Sequence, residues 1–250
     1  MDNSLKNRFT SLWRKYFTEK ETELPLVFYY TKKRNSIPPA NKPDGHRCLI
    51  AELARVRNGQ PLAFNHDNIG CGGGKRYSGF SEGLSPDFEY FLSCGKEGVV
   101  EGERYKKDPG TVKAFMEDYP QIDAKDNWLI FKRWDKLEES DNPEVVIFFA
   151  EPDIISGLFT LANYDRTDAN GVKTPMGAGC SSIILHPYQE KDKANPCGIT
   201  GMFDISARPF VPANKLTFAV PFERFKQLID YMEKSFLITN SWDKIKDRIE

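Results

Sequence analysis

The sequence lacks long apolar runs, an excess of either charge, and the paired cysteines of a metal or disulfide framework. Its 250 residues include 35 Lys and Arg against 36 Asp and Glu, a formal net charge of −1. A balanced charge gives no general attraction to nucleic acid or to an anionic membrane surface. No stretch approaches the roughly 18 apolar residues of a membrane-spanning helix. We therefore expect neither a nucleic-acid partner nor a membrane partner, and the composition leaves the oligomeric state open.

Metal-site spacing patterns are also missing. The five cysteines form no CxxC pair, and the three histidines form no HxxxH pair. The strong sequence signatures of zinc sites are therefore absent, although a fold can still gather dispersed ligands. The first 20 residues show no apolar segment of a secretory signal peptide. On these grounds we expect a cytoplasmic protein whose thiols are reduced.

Residues 69–79 are rich in glycine but match neither nucleotide-binding motif. The phosphate-loop pattern fails because Ile69 replaces its first glycine and Arg76 replaces its Ser or Thr. The dinucleotide fingerprint fails because Lys75 occupies the place of its last glycine. Backbone N–H groups with Lys75 or Arg76 can still bind an anion. The alternative is a tight turn that brings Cys71 against the rest of the protein.

Two cysteines lie among small residues, Cys71 in the glycine-rich stretch and Cys180 about one half-chain later. Glycine allows another group to approach the backbone closely, which makes such thiols reachable. Each can equally be a small buried hydrophobe. His186 follows Cys180 by six residues, and an extended strand would separate the two by roughly 20 Å. We therefore expect no direct pairing of this thiol and this imidazole.

A third candidate segment places Asp204, Ser206 and Arg208 at alternating positions. In extended backbone all three side chains point to the same side. Arg208 could then hold a carboxylate or phosphate with two parallel hydrogen bonds. The alternative is an internal pair of Asp204 with Arg208 that pins a loop.

Hydrophobic periodicity predicts strands at 25–30, 61–64, 143–150 and 216–220, and helices at 48–56, 111–119, after 151 and around 225–232. The element order in the two halves is similar. We predict an α+β fold of two tandem strand–helix–strand–helix repeats that share a mixed or antiparallel sheet with packed helices. The predicted divisions of this single compact unit are an N-terminal amphipathic helix at 1–20 and repeats at 21–140 and 141–250. Chance similarity of element order is the alternative.

Several of these residues also carry a family resemblance. They are Cys48, Cys71-x-x-Gly74, residues 179–182, 201–209, 216–221 and 235–237, and Trp242. In them the chain resembles the uncharacterised ArCR family, domain of unknown function 169, over residues 24–249. The resemblance implies no specific activity. It implies a metal or iron–sulfur role for members with an extra cysteine pair near residues 198–208, where this chain has only Cys197.

The resulting hypothesis is a cysteine-lined cleft between two repeats that binds a small ligand or a metal-type cofactor, either a metal ion or an iron–sulfur cluster. A thiol-dependent enzyme using Cys71 or Cys180 is one alternative, and a structural or partner-binding protein without an active site is another. Whether the protein is an enzyme stays open. The predicted metal ligands are Cys48, Cys71 and Cys180. The predicted ligand-binding residues are Cys71, Gly72, Gly73, Gly74, Cys180, Ser181, Asp204, Ser206 and Arg208.

Overall fold

A computed structural model describes residues 1–249 of the chain. Its strands are β1 (Leu26–Thr31), β2 (Leu62–Phe64), β3 (Trp128–Arg133), β4 (Val145–Ala150), β5 (Val172–Lys173), β6 (Gly198–Gly201) and β7 (Leu216–Pro221). Its helices are α1 (Asn3–Tyr16), α2 (Leu49–Arg57), α3 (Gly72–Tyr77), α4 (Phe88–Phe91), α5 (Pro109–Glu117), α6 (Pro152–Ala162), α7 (His186–Glu190), α8 (Phe222–Tyr231) and α9 (Asn240–Lys246). A π-helical segment, Ser181–Leu185, leads into α7.

The seven strands form one mixed sheet in the order β2-β3-β1-β4-β7-β6-β5. Its centre is the antiparallel pair β1–β4, in which Val27 faces Val146. Alternate β1 residues serve opposite faces of the sheet, as strand geometry requires: Phe28 joins one hydrophobic cluster and Val27 the other. Helices α2 and α3 and the π-helical segment cover the first face, which we call the thiol face. The fold is therefore α+β, as predicted.

Helices α1, α6, α8 and α9 cover the opposite face. Helix α1 confirms the predicted N-terminal amphipathic helix, because its apolar stripe is buried from Phe9 to Tyr16. The Trp13 ring stacks on Phe17 with centroids 4.5 Å apart. From the other end of the chain, the Trp242 indole N–H donates to the carbonyl of Tyr16 at 2.7 Å. The first and last helices are thereby joined.

Most predicted elements are confirmed within a few residues, but two stretches are helical where we expected otherwise. Residues 72–77 form α3 rather than a loop, because the Cys71 sulfur accepts a hydrogen bond from the Gly74 N–H and caps the helix. Residues 181–185 form the π-helical segment rather than a strand. There the hydroxyls of Ser181 and Ser182 donate to carbonyls one turn back, at 2.7 and 2.8 Å. These local contacts outweigh the strand propensity of the β-branched residues that follow.

The predicted two-repeat organisation is not confirmed. Helices α2 and α6, which a duplication would equate, pack on opposite faces of the sheet. The division at residue 140 stays a prediction, and β1 pairs with β4 across it. Residue 250, the last of the predicted second repeat, lies outside the described residues. No helix within 1–249 has the length and apolar character to cross a membrane.

Candidate functional site

Three cysteines from separate parts of the chain lie together on the thiol face, each at the start of a helical segment. Cys48 immediately precedes α2, Cys71 precedes α3, and Cys180 precedes the π-helical segment. All three belong to or pack against the same hydrophobic cluster. Cys180 is buried, with 6% of its surface exposed, while Cys48 and Cys71 are half-buried. We call Cys48, Cys71 and Cys180 the three-thiol site.

The thiols are close enough to influence one another's ionisation. Burial raises the pKa of Cys180 well above its usual value, and negative charge on Cys71, Cys48 and Asp204 raises it further. Burial also raises the pKa of Cys48, with the same sign of contribution from Cys71 and Asp204. Cys48 and Cys180 are consequently neutral thiols at neutral pH.

Glycines of α3 bring its first turn against the site. A Cβ on Gly74 would lie 2.8 Å from both the Cys71 sulfur and the Ile69 side chain, so only glycine fits. A Cβ on the exposed Gly73 would lie 3.9 Å from the Cys180 sulfur and 3.5 Å from the Tyr77 ring. A Cβ on Gly72 would have nothing within 4 Å. The absence of a side chain at 73 therefore leaves space beside the Cys180 sulfur, which is itself buried.

A hydrogen-bonded chain of three side chains borders the site. The Tyr119 hydroxyl donates to Ser181 Oγ at 2.9 Å, and Ser181 Oγ donates to the Ala178 carbonyl at 2.7 Å. His186 Nε2 lies 3.1 Å from the Tyr119 oxygen. Since the tyrosine proton is directed to Ser181, we assign the Nε2–H of His186 as the donor to Tyr119. Burial lowers the pKa of His186 to about 4, so the ring is neutral.

Sequence reasoning missed this chain of contacts. His186 was expected far along a strand, and that extended interpretation is wrong because residues 181–185 are helical. A Cβ on Gly177 would lie 2.0 Å from the Tyr119 hydroxyl, so glycine at this position makes room for the tyrosine. No pattern in the sequence links Tyr119 to residues more than 60 positions away. The partner of His186 is thus a tyrosine rather than a thiol.

The predicted segment 204–208 divides into two parts with different contacts. Asp204 accepts the Gly179 N–H at 2.8 Å through Oδ2, and both the N–H and hydroxyl of Ser206 through Oδ1. Asp204 thereby fixes the turn that carries Cys180. The Arg208 guanidinium instead donates to the carbonyls of Lys215 and Ala213. The expected extended arrangement is wrong because Arg208–Phe210 is a 3-10 helix.

Arg208 is therefore engaged with the loop that follows it, and its contact with an anion stays a prediction. The remaining cysteines lie elsewhere, Cys94 exposed and Cys197 buried. Among residues 1–249 no group of three or more His, Cys, Asp or Glu side chains is arranged to hold a metal ion. The assignment of Cys48, Cys71 and Cys180 as metal ligands also stays a prediction.

Comparison with known families confirms the family resemblance that the motifs indicated. The sequence model of the family described as DUF169, uncharacterised ArCR, matches residues 16–230. The chain belongs to the DUF169 family. The match to DUF169 includes all three cysteines of the site and Asp204. No curated protein and no solved structure is similar enough to the chain to count as a match.

Proposed function

We propose that this DUF169 protein binds a small thiophilic ligand at the three-thiol site, with the space beside Gly73 as the entrance. One observation carries the proposal: three separate segments bring their cysteines to one place, and Gly73 leaves space beside the buried Cys180 sulfur. Cys48 and Cys71 come before residue 140 and Cys180 after it. A cysteine-lined cleft between the two predicted repeats would need cysteines from both repeats, as is the case here.

The chemistry of the site favours a ligand with a soft, polarisable centre. Sulfur is itself soft, and thiolates select ions such as Cu(I) and Zn(II) over hard cations. A thiol must lose its proton to coordinate, so a raised pKa makes binding stronger as pH rises. A metal-type cofactor and a thiophilic organic molecule share this chemistry. Metal coordination would require the Cys71 sulfur to leave its hydrogen bond to the Gly74 N–H and the three thiols to rearrange, since within residues 1–249 they are not arranged to hold an ion.

The thiol-enzyme alternative receives less support. A nucleophilic cysteine needs a lowered pKa or an adjacent base, whereas burial raises the pKa of Cys180, one of the two candidate nucleophiles. The nearby imidazole of His186 contacts Tyr119 instead of a thiol. We therefore adopt ligand binding as the function that the geometry supports best.

Anaerobic titration of the full chain with Cd²⁺ tests the proposal, with sulfur-to-metal charge-transfer absorption as the readout. We expect one ion per chain. Each of the variants Cys48→Ser, Cys71→Ser and Cys180→Ser should weaken binding by roughly tenfold or more, as expected for loss of a metal ligand or its support. Cys94→Ser is the matched control, because Cys94 is exposed and its thiol donates only to the adjacent Gly95 carbonyl.

A parallel titration uses a monofunctional organomercurial, which needs only one thiol. Reaction of Cys180 in the folded protein without Cd²⁺ binding would identify a thiophilic organic molecule as the ligand class. If the three site variants match Cys94→Ser in both titrations, the proposal is wrong. Circular dichroism of every variant establishes that the fold is intact before the affinities are compared.

A further inference from the structure

Arg76 is a buried cation without an anionic partner. Only 5% of its surface is exposed. One guanidinium nitrogen donates to the carbonyl of Glu82, and Nε is buried with no hydrogen-bond partner in the part of the chain that the structure describes. None of the ion pairs within residues 1–249 includes Arg76. Arg76 is therefore a largely buried cation with one unpartnered nitrogen and no carboxylate in an ion pair.

The other strongly buried cations of the protein behave differently. Lys132 lies 2.8 Å from Asp141, Arg133 lies 2.6 Å from Asp135, and Arg224 lies 2.5 Å from Asp165. Burying a charge without a partner is costly, and natural folds place carboxylates beside such groups. Three of these buried cations therefore have a carboxylate partner, and Arg76 has none in an ion pair. Departures of this kind are expected where a ligand completes the arrangement.

Arg76 belongs to the surroundings of the three-thiol site. It lies on α3, one helical turn after Gly72 and Gly73. Burial raises the pKa of Tyr119 to about 12; negative charge on Cys180 raises it as well, whereas the Arg76 charge lowers it. The same three influences act on Tyr77, which lies under the entrance. Negative charge on Asp204 raises the pKa of both tyrosines as well, so Arg76, Cys180 and Asp204 all lie within electrostatic range of them.

We infer that Arg76 binds the oxyanion of a small acid, so that the ligand of the three-thiol site carries a carboxylate or phosphate group. The planar guanidinium matches either oxyanion with two parallel hydrogen bonds, which an ammonium group does not. The inference rests on the proposed function in one respect: it assigns the thiol contact and the contact with Arg76 to the same ligand. The anion contact itself depends on Arg76 alone.

The test uses inorganic phosphate and acetate as probes on the full chain, with chloride at equal ionic strength as the reference. A ligand that binds only the folded state raises the unfolding temperature in a saturable way. We expect such a rise with phosphate or with acetate, and the effective probe identifies the acidic group. Arg76→Met should abolish the response, and Arg76→Lys should weaken the affinity by roughly tenfold.

Two control variants separate binding from structure. Arg248→Met changes the net charge equally at an exposed position and should leave the response intact. Arg224→Met removes a paired buried cation and should lower the unfolding temperature, whereas Arg76→Met should not lower it in anion-free buffer. A full response in Arg76→Met, or no saturable response of the wild type to either probe, overturns the inference.

Failure of this inference can be told apart from failure of the proposed function. Cd²⁺ binding that survives in a protein with no phosphate or acetate response would refute the anion contact and leave the thiol proposal standing. An Arg76-dependent response in a protein that binds neither Cd²⁺ nor the organomercurial would refute the thiol proposal and leave the anion contact standing.

Discussion

A methyl group at residue 73 provides a direct test of the entrance to the three-thiol site. In Gly73→Ala the new Cβ would contact the Tyr77 ring at 3.5 Å and the Cys180 sulfur at 3.9 Å, both ordinary van der Waals distances. In the control Gly72→Ala it would contact nothing within 4 Å. Both residues are exposed in the first turn of α3. The two variants therefore differ in what the methyl group covers and not in strain.

The expected stability change is small and shared by both variants. Replacing helical glycine by alanine stabilises a protein by about 0.5–1 kcal/mol through the entropy of the unfolded chain. In a chain of this size that corresponds to an unfolding temperature about 1–4 °C higher. We expect both variants to show this rise, within about 0.5 kcal/mol of each other. Calorimetry or circular dichroism measures it.

The variants should differ in the reactivity of Cys180. Pulsed alkylation of the native protein, followed by peptide mass spectrometry, reports the labelling rate of each cysteine. Cys180 should react more slowly in Gly73→Ala than in Gly72→Ala, and the exposed Cys94 should react at the same rate in both. Equal Cys180 rates in the two variants would refute the entrance at Gly73. So would Cys180 labelling that rises with denaturant in step with global unfolding.

Three further predictions concern stability and pH. Lys132→Met leaves the buried Asp141 without its cation and should lower the free energy of unfolding by about 3–5 kcal/mol in urea denaturation; a loss below about 1 kcal/mol would contradict this. The Arg224 guanidinium holds the pKa of Asp165 at about 2, so this stabilisation is complete above the unfolded pKa of 3.8 and is lost as pH falls through about 2. Asp165→Asn should remove that part of the acid titration, and an unchanged profile would exclude it. The pKa of His186 lies near 4 against 6.5 unfolded, so stability should fall as pH drops from 6.5 to 4. His186→Gln should flatten the urea midpoint across that interval, and an equal slope in both proteins would speak against a buried neutral ring.

The fold was largely predictable where its signals are local. The stripe of α1 and the apolar run of β4 are properties of a few adjacent residues, and both elements form as expected. The helical state of residues 72–77 was not predictable from propensity, because three glycines disfavour a helix. That helix depends on the Cys71 sulfur as a cap and on packing against neighbouring segments.

The candidate site was predictable only in part. Cys71 and Cys180 stand out because glycine and small residues surround them, and the structure brings both together with Cys48. The hydrogen bonds of Tyr119 with Ser181 and His186 join residues more than 60 positions apart, and no spacing pattern encodes them. The burial of Arg76 without a carboxylate partner could not be predicted from the sequence either, because no spacing pattern shows which residues the fold places beside it.

The bond between Trp242 and the Tyr16 carbonyl has a consequence for how the chain emerges during synthesis. Its two residues are 226 positions apart. At about 5–20 residues per second, Tyr16 leaves the ribosome roughly 10–50 s before Trp242. During that interval Tyr16 and Phe17 lack their contacts with Trp242. The C-terminal end of α1 therefore completes its packing only after Trp242 has been synthesised.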